Sequence, residues 1–150
     1  MSRKDKTQFS PTKGTLPGKE KEAKTMSVIQ KTVVLEGNKK TEEAEAIFDS
    51  GATYSCIQPE LAERLETVLK LPQPMEFGTA KNGERVTALS RVNLNFYLEG
   101  LRFSDEFMVI PDLSQPVLIG AATLQKWRMK LDFEHDQVIL DPRVTRLWLL

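Results

Sequence analysis

Ala46-Ile47-Phe48-Asp49-Ser50-Gly51-Ala52-Thr53 is the stretch on which the reading of this chain turns. Its apolar opening, with Ile47 and Phe48, has the composition of a buried strand. Gly51 permits a tight turn and a close approach of other backbone. Asp49 therefore stands where a core strand ends and a turn begins. A carboxylate at the edge of an apolar core is costly unless it has partners or a task. The plainest reading is an Asx-turn, in which Asp49 bonds only its own turn backbone.

Upstream, Ser27 to Leu35 is apolar and β-branched, and Thr41 to Phe48 returns after the polar turn Glu36-Gly37-Asn38-Lys39-Lys40. These two segments predict a hairpin that delivers Asp49 at its end. Downstream, Tyr54-Ser55-Cys56-Ile57 reads as a short strand. Pro59 opens a helix at a position where its missing amide hydrogen does no harm. Leu61, Ala62, Leu65, Val68 and Leu69 recur at helical spacing, with Pro72 and Pro74 as the stop. Met75 to Ala88 reads as a second hairpin that projects, because its arms are small or polar and Asn82-Gly83 suits a two-residue turn.

Arg91 to Leu98 alternates, with Val92, Leu94, Phe96 and Leu98 on one face, and Leu101 to Ile110 returns after Glu99-Gly100. Val117-Leu118-Ile119-Gly120 is a short apolar strand. A helix over Ala121 to Trp127 follows, then a hairpin from Met129 to Leu140. Short strands with two helices predict a closed or packed β architecture.

The chain has 150 residues, 21 basic and 21 acidic, so its balanced charge points to neither nucleic acid nor an anionic membrane. Cys56 is the single cysteine and His135 the single histidine. An intrachain disulfide is excluded, and no metal site or cofactor is expected. No apolar run has the length of a membrane span. A secretory signal is not expected, and the reading favours a cytoplasmic protein. Residues 1–26 are rich in Lys, Glu, Thr, Pro and Gly, with Phe9 and Leu16 as their only large apolar residues before Met26, and read as a disordered polar tail. Residues 27–142 form the domain, and 143–150 an apolar segment suited either to a dimer-interface strand or to packing on its own domain.

The order of these pieces resembles the retropepsin-like aspartic proteases, the single-lobe family that includes the retroviral enzymes. The resemblance covers about residues 27–141 and rests on two anchors, Ile47-Phe48-Asp49-Ser50-Gly51-Ala52-Thr53 and Val117-Leu118-Ile119-Gly120, about 70 residues apart with the Asn82-Gly83 hairpin between. It implies a mostly β, homodimeric acid-protease barrel with two short helices. Hydrolysis by carboxylates needs two of them sharing one proton. This chain carries one Asp-Ser-Gly, so the resemblance implies a homodimer pairing Asp49 with its symmetry mate. Ser50 would lock the pair across the dimer, and the Gly51 amide would orient the carboxylate.

Gly78, Thr79, Ala80, Lys81, Asn82 and Gly83 would form a flap over an extended peptide substrate, and Val117, Leu118 and Ile119 would line apolar pockets. Many retroviral enzymes carry an Asp and an Arg where this chain has Thr53 and Ala121, so their ion pair is missing here as a unit. The alternative is a non-catalytic dimerisation or peptide-binding module of the same fold. Cys56 with His135 as nucleophile and base is the weaker chemistry, since Cys56 lies in an apolar strand and His135 in a polar turn. Lys126 and Arg128 beside Trp127 read as a solvated helix end, and Glu60, Glu63, Arg64 and Glu66 as a helix's solvent face.

Overall fold

The computed structural model describes residues 28–78 and 83–149. The expected polar tail over 1–26 and the flap positions Thr79, Ala80, Lys81 and Asn82 lie outside the described residues. The first hairpin forms as the pattern requires. Strands β1 (Val28–Glu36) and β2 (Thr41–Asp49) pair antiparallel without a break, from Val28↔Asp49 to Glu36↔Thr41. Alternation buries Ala46 and Phe48 and leaves Ile47 and Asp49 half-buried on the opposite face. Gly37 in the connecting turn is there for space. A Cβ at that position would sit 2.0 Å from the Leu65 carbonyl oxygen.

The remaining strands are β3 (Cys56–Ile57), β4 (Leu69–Gly78), β5 (Arg85–Leu98), β6 (Leu101–Val109) and β7 (Val117–Ile119). Helix α1 (Pro59–Leu65) follows β3, and α2 (Ala121–Lys126) follows β7. The sheet order is β1-β2-β7-β3-β6-β5-β4, and β1 pairs again with β5. The second pairing, Val34↔Tyr97 to Glu36↔Asn95, closes six strands into a barrel and leaves β4 outside on the edge of β5. Phe48, Phe96, Phe103, Phe107, Ile29 and Ile119 fill the interior. The Phe96 and Phe103 rings stack at 5.3 Å. Strands β8 (Lys130–Asp132) and β9 (Gln137–Ile139) form a separate hairpin, and a 3-10 helix spans Pro142–Thr145.

Two local expectations are corrected. The helix after Pro59 ends at Leu65, and Leu69 begins strand β4, which runs through Pro72 and Pro74 to Gly78. Proline is tolerated there because β4 is an edge strand, and its pairing with β5 is interrupted between Lys70 and Met75. The second hairpin pairs Gly78 with Arg85 and Met75 with Ala88. A two-residue turn at Asn82-Gly83 would instead set Gly78 opposite Thr87, so the described arms do not follow that register. The outer face of α1 is solvent-exposed at Glu60, Glu63 and Arg64, as the pattern requires, and it also carries bonds to its neighbours. Arg64 makes two hydrogen bonds to Glu42 of β2 (2.9 and 3.2 Å), and Glu66 accepts from the Asn38 amide at 2.7 Å.

Candidate active site

Asp49 closes β2 at the barrel rim. Its Oδ1 accepts a 2.8 Å hydrogen bond from the Gly51 amide, and its carbonyl accepts from Ala52 N at 3.2 Å. The turn is thus an Asx-turn, and the same bond that builds it fixes the carboxylate. The other oxygen, Oδ2, receives no hydrogen bond from any described residue. Ser50 and Gly51 are exposed beside it.

The neighbours of Asp49 follow from strand register. Strand β7 runs parallel to β2, with Ile47 opposite Leu118 and Phe48 opposite Ile119. It runs antiparallel to β3, with Cys56 opposite Leu118. Paired residues share a face, so Ile47, Leu118 and Cys56 form a half-buried apolar band on the face that carries Asp49. Met108, opposite Cys56 on β6, extends this band. Beyond it lies a second apolar cluster of Leu71, Ala88, Met108 and Ile110, onto which Met75, Phe77 and Val86 of the projecting hairpin pack. Tyr54, just past the Asp49 turn, meets Phe77 edge-to-face at 5.7 Å.

The expectation that Val117, Leu118 and Ile119 all line a pocket is therefore corrected. Val117 and Ile119 are fully buried in the barrel, and Leu118 alone faces outward. The sequence reading missed Ile47, Cys56 and Phe77. Counting strand alternation outward from Asp49 finds Ile47 directly, because residues two apart share a face. Of the described flap positions, Gly78 ends β4 and Gly83 has a φ of +74°, the left-handed conformation expected of a turn glycine.

The competing chemistry has no support in the geometry. Burial pushes the Cys56 thiol up to about 11, so at neutral pH it stays protonated and a poor nucleophile. His135 belongs to the separate β8–β9 hairpin, where its Nδ1 lies 2.8 Å from Asp132 Oδ2. That hydrogen bond raises the His135 pKa. Asp132, Glu134 and His135 offer ligand atoms within 4.8 Å of one another, but Glu134 and His135 are exposed, and surface acids often cluster without a metal. Trp127 is packed rather than presented, with its Nε1 donating to Ser104 O at 2.9 Å and its ring edge-on to Phe103. Near the C-terminus of the chain, Leu147, Trp148 and Leu149 are 82%, 78% and 100% exposed. Among the described residues no helix is long and apolar enough to cross a membrane.

Comparison with known proteins agrees with this geometry. A family model described as "Aspartyl protease" matches residues 14–123, which include the Asp49 turn and β7. The fold is similar to that of the retroviral protease-like domain of Ddi1 from Leishmania major, with 25% identity and a TM-score of 0.55, over 76% of this chain and 90% of that one. It is also similar to the EIAV protease complexed with the inhibitor HBY-793, with 18% identity and a TM-score of 0.53, over 69% of this chain and 90% of that one. No curated protein matches the sequence. A six-stranded barrel, an Asp-Ser-Gly turn at its rim and the family match over both anchors have one common source: this chain belongs to the aspartyl proteases, in their retropepsin-like form.

Proposed function

We propose that the protein is an aspartic endopeptidase whose active site forms between two copies of the chain. One observation carries this reading. Asp49 stands half-buried at the barrel rim with a single oxygen held by Gly51, and the chain has no second Asp-Ser/Thr-Gly to complete a pair. Two Asp49 carboxylates brought together by a two-fold axis share one proton, because like charges at that distance do not both ionise. The ionised member takes a proton from a bound water as that water attacks the scissile carbonyl. The protonated member gives its proton to the carbonyl oxygen. Collapse of the tetrahedral intermediate returns a proton to the departing amine, with no covalent enzyme intermediate.

Ser50, exposed next to Asp49, would bond across the two-fold. An extended peptide would lie as an added strand along the band of Ile47, Leu118 and Cys56, beneath the β4–β5 hairpin. The exposed Leu147-Trp148-Leu149 segment supplies apolar surface for the dimer.

The experiment compares peptide cleavage by wild type and Asp49→Asn, with the size of each measured in parallel. Loss of turnover at unchanged dimer size supports the reading, and so does suppression of wild-type turnover when the Asp49→Asn chain is titrated in. Equal cleavage by both proteins sinks it. A peptide-binding dimer without turnover would assign the chain to the non-catalytic reading.

A further inference from the structure

Behind the Asp49 turn lies a run of buried hydroxyls with no part in the chemistry just described. The Gly120 amide donates to Ser55 Oγ at 3.0 Å. Ser55 Oγ lies 2.6 Å from Thr123 Oγ1, which donates to Asp105 Oδ2, also at 2.6 Å. Each hydroxyl has one proton to give. That of Thr123 goes to the Asp105 carboxylate, so that of Ser55 goes to Thr123. The bonds run in one direction, from a backbone amide through two hydroxyls to an anion, and each strengthens the next. Ser55 and Thr123 are 2% and 1% exposed, so an unmade bond there is not replaced by water. At the outer end Asp105 Oδ1 accepts from the Glu106 amide at 2.9 Å and lies 3.8 Å from Lys126 Nζ.

This run pins the start of α2, and the start of α2 holds the Asp49 turn. Ala121 N donates to Ala52 O at 2.6 Å and Ala122 N to Thr53 O at 3.0 Å. Gly120 is pressed so close that a Cβ would meet the Tyr54 carbonyl at 2.6 Å. Where α2 begins therefore decides where Ala52 and Thr53 sit. They adjoin Gly51, whose amide aligns Asp49. Thr53 and Ala121 carry no charges, so hydroxyl and backbone bonds do this work.

We propose that Ser55, Thr123 and Asp105 are positioning residues for Asp49, acting through α2 and the 50–54 turn. The anchoring stands on the geometry alone, and its effect on turnover rests on the endopeptidase reading. A carboxylate that must meet its symmetry mate tolerates little displacement, because small misplacements of reacting groups cost on the order of 100-fold in rate.

The test uses Thr123→Val, which keeps the side-chain shape and removes the hydroxyl, with Thr123→Ser as the rescue. Amide hydrogen exchange and peptide turnover are measured on the full chain. In Thr123→Val the amides of Gly51, Ala121 and Ala122 exchange about tenfold faster while those of β5 and β6 are unchanged. The kcat falls roughly 10–100-fold with KM within about twofold, and Thr123→Ser restores both. Should Thr123→Val not fold, Asp105→Asn, which keeps an acceptor but loses the charge, shows the same changes at about a third of the size.

Unchanged exchange at Ala121 and Ala122 overturns the anchoring. Faster exchange with unchanged kcat overturns the positioning role. A wild type that cleaves no peptide while exchange still rises sinks the endopeptidase reading and leaves the anchoring standing.

Discussion

The two walls of the candidate site are built in opposite ways. The Asp49 turn sits over a filled barrel. It is tied to α2 by two backbone bonds and rests against Gly120, behind which lie the fully satisfied hydroxyls of Ser55 and Thr123. The projecting hairpin, β4 with the first residues of β5 (Arg85 to Ala88), stands outside the barrel. Its pairing breaks at Pro72 and Pro74, it is covered on one face only, and its aromatic contact with the turn is the single pair Tyr54–Phe77. Local stability follows the number of buried contacts and satisfied bonds, so the turn costs more to open than the hairpin. The acid is held on the wall that gives least, and the hairpin, the covering element of the proposed endopeptidase, is the wall that gives more. A site that must admit a chain and then close over it needs that division.

Paired substitutions break or sharpen the contrast. The largest effect is expected from phenylalanines in the two regions. Phe48→Ala empties a fully buried site under Asp49 and costs about 3–5 kcal/mol. Phe77→Ala, half-buried on the hairpin, costs about 1 kcal/mol. Urea melts of both read the difference, and equal losses would abolish the contrast.

Glycines come next, with opposite signs. Gly120→Ala drives a methyl against the Tyr54 and Ala52 backbone and costs about 1–3 kcal/mol. Gly78→Ala meets nothing within 4 Å in extended strand and stabilises by about 0.4–1 kcal/mol. A destabilised Gly78→Ala in a thermal melt would overturn the open packing of the hairpin.

The smallest effect is expected away from both walls. The hydrogen bond from Asp132 raises His135 above its ordinary 6.5, and the reciprocal bond lowers Asp132 below 3.8. The His135 contribution is full below pH 6.5 and fades as pH rises through the raised value. The Asp132 contribution is full above pH 3.8 and fades as pH falls through the lowered one. The pair therefore helps most between those limits. Titration of His135 by NMR in wild type and Asp132→Asn checks this, with a lower His135 pKa expected in the variant.

Much of this was legible in the sequence wherever a side chain's chemistry is local. The β1–β2 hairpin follows from alternation and the polar Glu36–Lys40 turn, and Asp49 at its end from the Gly51 turn. Val117-Leu118-Ile119-Gly120 was legible as a strand and a special glycine. Its division into two buried side chains and one outward follows from the same alternation, once β7 is known to lie beside β2.

What was hidden is non-local. Nothing near Ser55 announces a bond to Thr123, because an isolated hydroxyl has no period to betray it. Pro72 and Pro74 looked like a helix stop because proline is a breaker in a helix and in a central strand, and only the edge position of β4 makes it acceptable.

The place of β7 has a consequence for how the protein is made. It lies between β2 and β3, elements that leave the ribosome about 60 to 70 residues before it. At about 5–20 residues per second, Asp49 waits on the order of ten seconds for the strand and helix that brace it. Until then the turn has neither Ala121 nor Ala122 to hold it, and one of the barrel's longest-range closures is still unmade. Biosynthesis thus acts as a timer: the acid is translated about 70 residues before the strand and helix that brace it.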